Sequence, residues 1–453
     1  MRRSPLIEYI FKEVLALNNY PELVKNHLLE IINEMSENTD LFVKNPGKDF
    51  SRKRKLDFAE MIRVLLSMGG NSLRNELLEY FSYDVNVASV SSFVQQRDKI
   101  LPIAFEFLMH KFTAFFQNHK TLNGYRMLAV DGSDLSIAHN PKDADTYFQS
   151  SPDIKGFNLL HLNALYDLCN HLYIDTIIQS GRKTNECRAF TNMVDRTNIT
   201  EKVILIADRG YESYNVFAHI EQKGWNYIIR VKDRDSNGIL SAIKLPGKDI
   251  FDVKKHIILT RKQTNVVKEN PTLYKFLPKT SSFDYLGLHE NEFYPISFRI
   301  VRFPISDGSY ETIITNLDEK EFPIEKIKGL YHLRWGIETS FRELKYSIGL
   351  TSFHSKKVEY IIQEIYARLT MYNFCELITM NVVIHQKNTQ YGYQANFTVA
   401  IKICRYFFKC LNDKSPPDVE ALIRKNILPI RSGRSDPRKV KPKSTISFNY
   451  RVA

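Results

Sequence analysis

The sequence predicts a mixed α/β chain: a helical N-terminal domain, a central sheet flanked by helices, and a β-rich insertion before helices return. Three observations predict it. Apolar residues recur at helical spacing up to about residue 120. Short apolar strands then alternate with helices, and two of those strands run into Asp. From about residue 235 the pattern switches to alternation rich in β-branched and aromatic residues.

In the N-terminal region, Leu6, Ile10, Phe11, Val14 and Leu15 keep helical spacing, as do Leu23, Leu28, Leu29, Ile31 and Ile32. The basic run Arg52-Lys53-Arg54-Lys55 precedes a helix over 58–67, which Gly69-Gly70 closes. Two short helices follow, near 73–81 and 91–100, in a helix-turn-helix pattern. The second carries Gln95, Gln96, Arg97 and Lys99, side chains able to reach base edges and phosphates. The same pattern also suits a plain helical bundle with a polar face.

The core begins near residue 121. Met127-Leu-Ala-Val130 is a buried strand that turns at Asp131-Gly132-Ser133, and strands over 157–166 and 171–178 flank a polar turn. A helix starts after Thr184 with Asn185 and Glu186 in its first turn, and Val203-Ile-Leu-Ile-Ala207 runs into Asp208-Arg209-Gly210. Expected boundaries are 1–120 for the helical domain, 121–234 for the first part of the core and 235–322 for the insertion. Residues 323–412 then carry the last part of the core with C-terminal helices, and 413–453 form an extended basic tail.

Lys and Arg outnumber Asp and Glu by 63 to 51, giving +12, a balance that suits a polyanionic partner. The five cysteines have no C-x-x-C spacing, which argues against a zinc site or a disulfide framework and for a reducing compartment. No apolar run approaches the roughly 18 residues of a membrane span, and Glu8, Lys12 and Glu13 interrupt any signal-peptide stretch. A cytoplasmic, nucleoid-associated protein is expected.

Asp131 and Asp208 follow strands, and carboxylates at the carboxyl ends of neighbouring strands could share a divalent cation. Either alone is an ordinary turn residue, since Asp beside Gly is a common turn pair, and Asp134 and Asp167 compete with them. A sharper signal is Tyr331-His-Leu-Arg334-Trp-Gly-Ile-Glu338-Thr-Ser-Phe-Arg-Glu-Leu-Lys345. On one helix at about 100° per residue, Arg334, Tyr331 and Lys345 lie at about −40°, +20° and −20° from Glu338. One acid flanked by two bases and a phenol suits a metal-ligating carboxylate with cations beside it for phosphates. The alternative is a solvated face laced by pairs such as Arg334–Glu338.

These blocks resemble the DDE transposases of bacterial insertion sequences, nearest the insertion-sequence-four family. Asp131-Gly-Ser, Val-Ile-Leu-Ile-Ala-Asp208-Arg-Gly-Tyr211 and the Y-(2)-R-(3)-E-(6)-K spacing of Tyr331, Arg334, Glu338 and Lys345 occur in that family's order, with its β-rich insertion between the second Asp and the Glu. The resemblance covers residues 125–350 well and the two ends more loosely. It implies an RNase H-like catalytic core in which Asp131, Asp208 and Glu338 hold two Mg²⁺, or Mn²⁺. Tyr331, Arg334 and Lys345 would contact the strand beside the scissile phosphate. Asn185 and Glu186 match a short Asn-Glu element in weaker form and stay outside the triad.

The activity so implied is cut-and-paste transposition. The N-terminal region would read terminal inverted repeats, and Arg434, Arg438 and Lys439 of the tail would add backbone contacts. A homodimer would pair two transposon ends, and no membrane partner is expected. Some relatives stack a flipped base on a Trp of the insertion. Here the tryptophans are Trp225 and Trp335, both outside it, so Tyr285, Phe293 or Tyr294 would take that place, or the step differs. The rivals are an inactive, transposase-derived DNA-binding protein and a metal-dependent nuclease of the same fold. Tyr331 as a recombinase nucleophile is disfavoured, because that chemistry needs no aligned acid.

Overall fold

The computed structural model describes residues 20–430 apart from 53, 117–119, 235, 288–291, 307, 385–391 and 411–415. The helix expected over residues 6–15 and the basic tail with Arg434, Arg438 and Lys439 lie outside the described residues.

One ten-stranded sheet organises the chain. Its strands are β1 (Arg126–Ile137), β2 (Tyr147–Phe148), β3 (Phe157–Asp167), β4 (Leu172–Ser180), β5 (Val203–Ala207), β6 (Asn226–Val231), β7 (Phe251–Thr260), β8 (Tyr274–Phe276), β9 (Phe293–Ser306) and β10 (Ser309–Thr315). They lie in the order β2-β3-β1-β5-β6-β10-β9-β7-β8, with β4 also on β3. Around β1 the core is antiparallel on one side, through β3 and β4, and parallel on the other, through β5 and β6. This is the α/β class the sequence predicts. β5 lies between β1 and β6 with helices over both faces, so all five of its residues are buried, as expected for a parallel strand in a covered sheet.

β1 does not turn at Asp131. It pairs with β3 through Ile137↔Asn158, and that antiparallel ladder keeps Gly132 and Ser133 extended past the point where the sequence suggested a turn. The stretch from residue 235 is likewise no detached module. β10 pairs with β6 from Thr312↔Val231 to Thr315↔Ile228, so β7–β10 prolong the central sheet.

The two faces carry different helices. On one, Phe190, Val194 and Phe217 of helices Glu186–Arg196 and Tyr214–Gln222 pack on Leu128, Val130 and Leu205. On the other, Ile337 and Phe341 of helix Trp335–Glu343 pack with Ala129, while Ile327 and Leu330 of helix Ile324–His332 pack with Met127 and Ile206.

The N-terminal helices (Tyr20–Glu37, Phe58–Ser67, Leu73–Tyr80, Val90–Arg97 and Ile103–Phe115) share one core with the long helix Val358–Thr379, which is buried nearly all round. Leu28, Met61, Phe105 and Met109 meet Ile361, Tyr372 and Phe374 there. The expected boundaries at 120 and 323 therefore divide the sequence but not the core. Among the described residues no helix is long and apolar enough to cross a membrane.

Inside this core Arg97 is only 1% exposed. Its guanidinium donates to Gln363 Oε1 at 2.8 Å and to Glu364 Oε1 at 3.0 Å. That corrects the expectation of a DNA contact: a buried, fully engaged guanidinium has no face left for phosphate. Gln96 is also buried, and its Oε1 accepts from Lys99 Nζ at 2.9 Å. Of the four candidates on this segment, Gln95 is the exposed one and Lys99 is half-exposed. Ser89 caps the helix by accepting from Ser92 N.

Candidate active site

The parallel pairing Val130↔Ala207 puts the next residues, Asp131 and Asp208, side by side, on strands about 4.8 Å apart. Each also makes the local contact of an ordinary Asp-Gly turn. Asp131 Oδ1 accepts from Gly132 N at 2.8 Å, and Asp208 Oδ1 accepts from Gly210 N at 2.8 Å. What distinguishes them is company. Burial pushes the Asp131 carboxyl up; the Gly132 N–H and Arg334 oppose this, while Asp208 and Glu338 add to it, and the result is about 6. Three carboxylates from distant parts of the chain thus meet in one electrostatic neighbourhood.

The segment bearing Glu338 is not one uniform helix. Leu333 N, Arg334 N, Gly336 N and Ile337 N each bond the carbonyl three residues back, a tight 3₁₀ step between the two helices. Past Glu343, Leu344–Ile348 form a π turn, and Gly349 at φ 100° closes it. The even rotation per residue therefore fails on both sides of Glu338, and the stripe is reshaped.

Tyr331 turns onto the sheet beside Met127 and Ile206, 6% exposed, and its buried hydroxyl has no hydrogen-bond partner. The phenol is thus set against the sheet rather than open to solvent. It supports Arg334, whose guanidinium lies 5.8 Å from the Tyr331 ring and 5.2 Å from Trp335. Arg334 Nη1 pairs with Glu338 Oε1 at 2.7 Å, so the plain i,i+4 ion pair is also formed. Lys345, from the π turn, donates to the Asp134 carbonyl at 3.0 Å. Burial lowers its pKa against the pull of Asp134 and Asp131.

The sequence left two groups out. His161 faces Asp134 across the β1–β3 ladder, with Nδ1 2.7 Å from Asp134 Oδ1, and its Nε2 stands 2.9 Å from Glu186 Oε1. Burial works against the charged ring, but Asp134 and Glu186 outweigh it and push the pKa up to about 9. Nothing in the sequence marked His161, because the strand register that makes the pair is a tertiary fact. Glu186 had a signal, the Asn185-Glu186 helix start: Asn185 caps by accepting from Arg188 N at 2.9 Å, and Glu186 opens the first turn. Asp167, a competitor by pattern, is wholly buried, pairs with Arg126 at 2.7 Å and accepts from Cys169 N and Asn170 N. It anchors a turn.

Oxygen donors alone, several of them anionic, suit a hard divalent cation; burial chiefly raises Asp131, and the smaller push from Asp208 and Glu338 is what such a cation would relieve. The residues fit the group. Among the described residues no three His, Cys, Asp or Glu side chains already stand as a ligand set, and Glu338 is held by Arg334.

Elsewhere, a cavity of about 700 Å³ opens at the other end of β1, lined by Glu106, His110, Arg126, Asp175, Arg196 and Glu201. Its charges pair among themselves, for example His110–Asp175 at 2.9 Å and Arg126–Glu201 at 3.2 Å. Of the insertion aromatics, Phe293 is 44% exposed, while Tyr285 packs on His219, Phe283 and Tyr294.

Residues 122–374 match the transposase DDE domain family. Among solved structures the chain is similar to a piggyBac transposase in a cryo-EM synaptic complex with hairpin DNA. The identity is 10% and the TM-score 0.49, over 91% of this chain and 82% of that one. The chain has no match among curated protein sequences.

Proposed function

The chain belongs to the transposase DDE domain family, and from that premise we propose that it is a metal-dependent DNA transposase of insertion-sequence type. It would bind terminal inverted repeats, cleave the transposon ends and join their 3′-hydroxyls to target DNA. The observation that carries this reading is the meeting of Asp131, Asp208 and Glu338, with Arg334 and Lys345 beside them.

Asp131, Asp208 and Glu338 would hold two Mg²⁺, or Mn²⁺. Held there, such ions would supply Lewis-acid activation of water or a 3′-hydroxyl and charge stabilisation for the leaving oxygen. The chain supplies the rest. The sheet fixes Asp131 and Asp208 at adjacent strand positions, so the reorganisation before binding would fall on Glu338 and its pair with Arg334. Arg334, packed between Tyr331 and Trp335, is held where it can pass from Glu338 to a phosphate oxygen. Lys345 brings a second cation within reach of Asp131, and its partial burial strengthens its hold on a phosphate. No protein nucleophile is needed.

The N-terminal helices and the basic tail would supply salt-dependent affinity for DNA, with Gln95 the side chain best exposed to read a base edge. Two copies would pair the two ends.

Glu338→Gln tests the triad. It should bind a transposon-end duplex yet lose Mg²⁺-dependent nicking; full activity would sink the assignment. A strand-transfer assay with a precleaved end separates a transposase, which joins it, from a nuclease of the same fold, which does not.

A further inference from the structure

We propose that Glu186 is a fourth carboxylate ligand of the active-site cation, held in orientation by His161 and Asp134. The inference rests on the metal-dependent reading above and goes beyond its triad.

Glu186 reaches the site from the opposite face of the sheet to Glu338. Its helix packs through Phe190 and Val194 on Leu128 and Val130, whereas the Glu338 helix packs through Ile337 and Phe341 on the face of Ala129. The glycines beside the two aspartates make room for it. A Cβ on Gly132 would come within 2.5 Å of Glu186 Oε1 and 2.4 Å of His161 Nε2; one on Gly210 would lie 3.0 Å from Asp208 Oδ1 and 3.3 Å from Glu186 Oε2. The carboxylate is therefore wedged between the residue after Asp131 and the turn that Asp208 caps. Its two oxygens divide the work: Oε1 meets His161, and Oε2 lies toward the Asp208 turn.

That division is how ligating carboxylates are commonly held, one oxygen fixed by an outer partner and the other presented. Here the outer partner is a buried imidazole that Asp134 grips on its far nitrogen at 2.7 Å, and its Nε2 meets Glu186 Oε1 as an ion pair at 2.9 Å, without the alignment of a hydrogen bond. A second observation points to the same spot. The Tyr211 hydroxyl is wholly buried without a hydrogen-bond partner. Its ring packs edge-on against Phe190 at 5.7 Å; burial pushes its pKa up, and the charges of Glu186, Asp131 and Asp208 push it further. Glu186 leaves that hydroxyl unsatisfied; it pairs with His161, keeps 35% of its side chain open, and stays beside two like charges.

The test is direct binding of Mn²⁺ alone to the full chain, by titration calorimetry or loss of the free-ion EPR signal, with no turnover involved. Wild type, Asp131→Asn and Glu186→Gln are compared, with far-UV circular dichroism as the control for folding. The expected result is at least a tenfold rise in Kd for both variants, and a rise of about tenfold for His161→Asn, which removes only the orienting partner. Loss in Asp131→Asn with Glu186→Gln within twofold of wild type would overturn the role of Glu186 and leave the triad intact. Equal Mn²⁺ binding by wild type and Asp131→Asn would overturn the metal reading and this proposal with it. Should Glu186→Gln not fold, Glu186→Asp, which keeps the charge but withdraws it by one methylene, carries the same comparison.

Discussion

Arg97→Met separates two roles that one position could play. In the sequence Arg97 lies on a short helix in a helix-turn-helix pattern, where an arginine invites a phosphate or a guanine. In the fold it is 1% exposed and faces Glu364, itself 2% exposed. The substitution removes the bonds to Gln363 Oε1, Glu364 Oε1 and the Tyr360 carbonyl while roughly filling the volume. Breaking a buried pair from one side costs about 3–5 kcal/mol, because the remaining charge stays buried. Glu364 keeps Arg368 at 3.2 Å and the His354 backbone N–H at 3.0 Å, so the low end, about 3 kcal/mol, applies.

Urea unfolding followed by circular dichroism measures this. With a slope of about 3 kcal/mol/M or more, the midpoint should fall by up to about 1 M at unchanged slope. The folded variant should bind DNA with an unaltered salt dependence. The reasoning is refuted if the midpoint stays put while the salt slope of DNA binding drops by about one, the mark of a lost phosphate contact. Gln95→Ala is the complement: no change in unfolding, with weaker or less selective DNA binding.

The other predictions follow from the site. Asp131→Asn should raise thermal stability at neutral pH. A carboxyl raised to about 6 in the fold against an ordinary value near 3.8 loses stability as pH climbs through that window, so the gain of the variant should be absent below pH 3.8, grow to pH 6 and then stay level in pH-resolved melting. His161→Asn should show the opposite trend. Its imidazolium, at about 9 in the fold, stabilises fully below pH 6.5 and progressively less up to pH 9, so the loss in melting temperature should be largest in mild acid and shrink above pH 9. Lys345→Ala should lower the salt slope for an end duplex by about one and reduce cleavage at saturating DNA, as read by filter binding and single-turnover nicking.

How much of this was legible in the sequence depends on whether the signal was local. β5 was plain, because an unbroken apolar run of five residues ending at Asp-Arg-Gly reads as a buried strand, whereas Asp208 alone read equally as a turn residue. Glu338 was visible through the spacing of its charged neighbours, even though the helix breaks on both sides of it. That break escaped because Gly336, the one glycine in it, is also tolerated inside a helix; Tyr331 packs on the sheet on one side of the 3₁₀ step and Ile337 against the face of Ala129 on the other. The end of β1 was misread for the same reason. Asp131-Gly132 has turn chemistry, and only the ladder to β3 overrules it. His161 and the burial of Arg97 are tertiary from the start, since their partners lie 27 and more than 260 positions away.

The strands and glycines of the site explain why a stable sheet tolerates so many like charges at one end. Asp131 stays with two acids because β1, running on to Ile137 against β3, fixes its backbone regardless of what the side chain prefers. Gly132 and Gly210 remove the side chains that would otherwise screen Glu186 from that end. Arg334 and His161⁺ offset part of the repulsion, one from each face, and each does so through a contact that a stronger ligand can take over or share. Strain of this kind is expected where binding energy is to be released on filling a site rather than on folding. Glu338 would hold a cation only by exchanging its pair with Arg334, whose guanidinium, packed between Tyr331 and Trp335, would then be available to a phosphate.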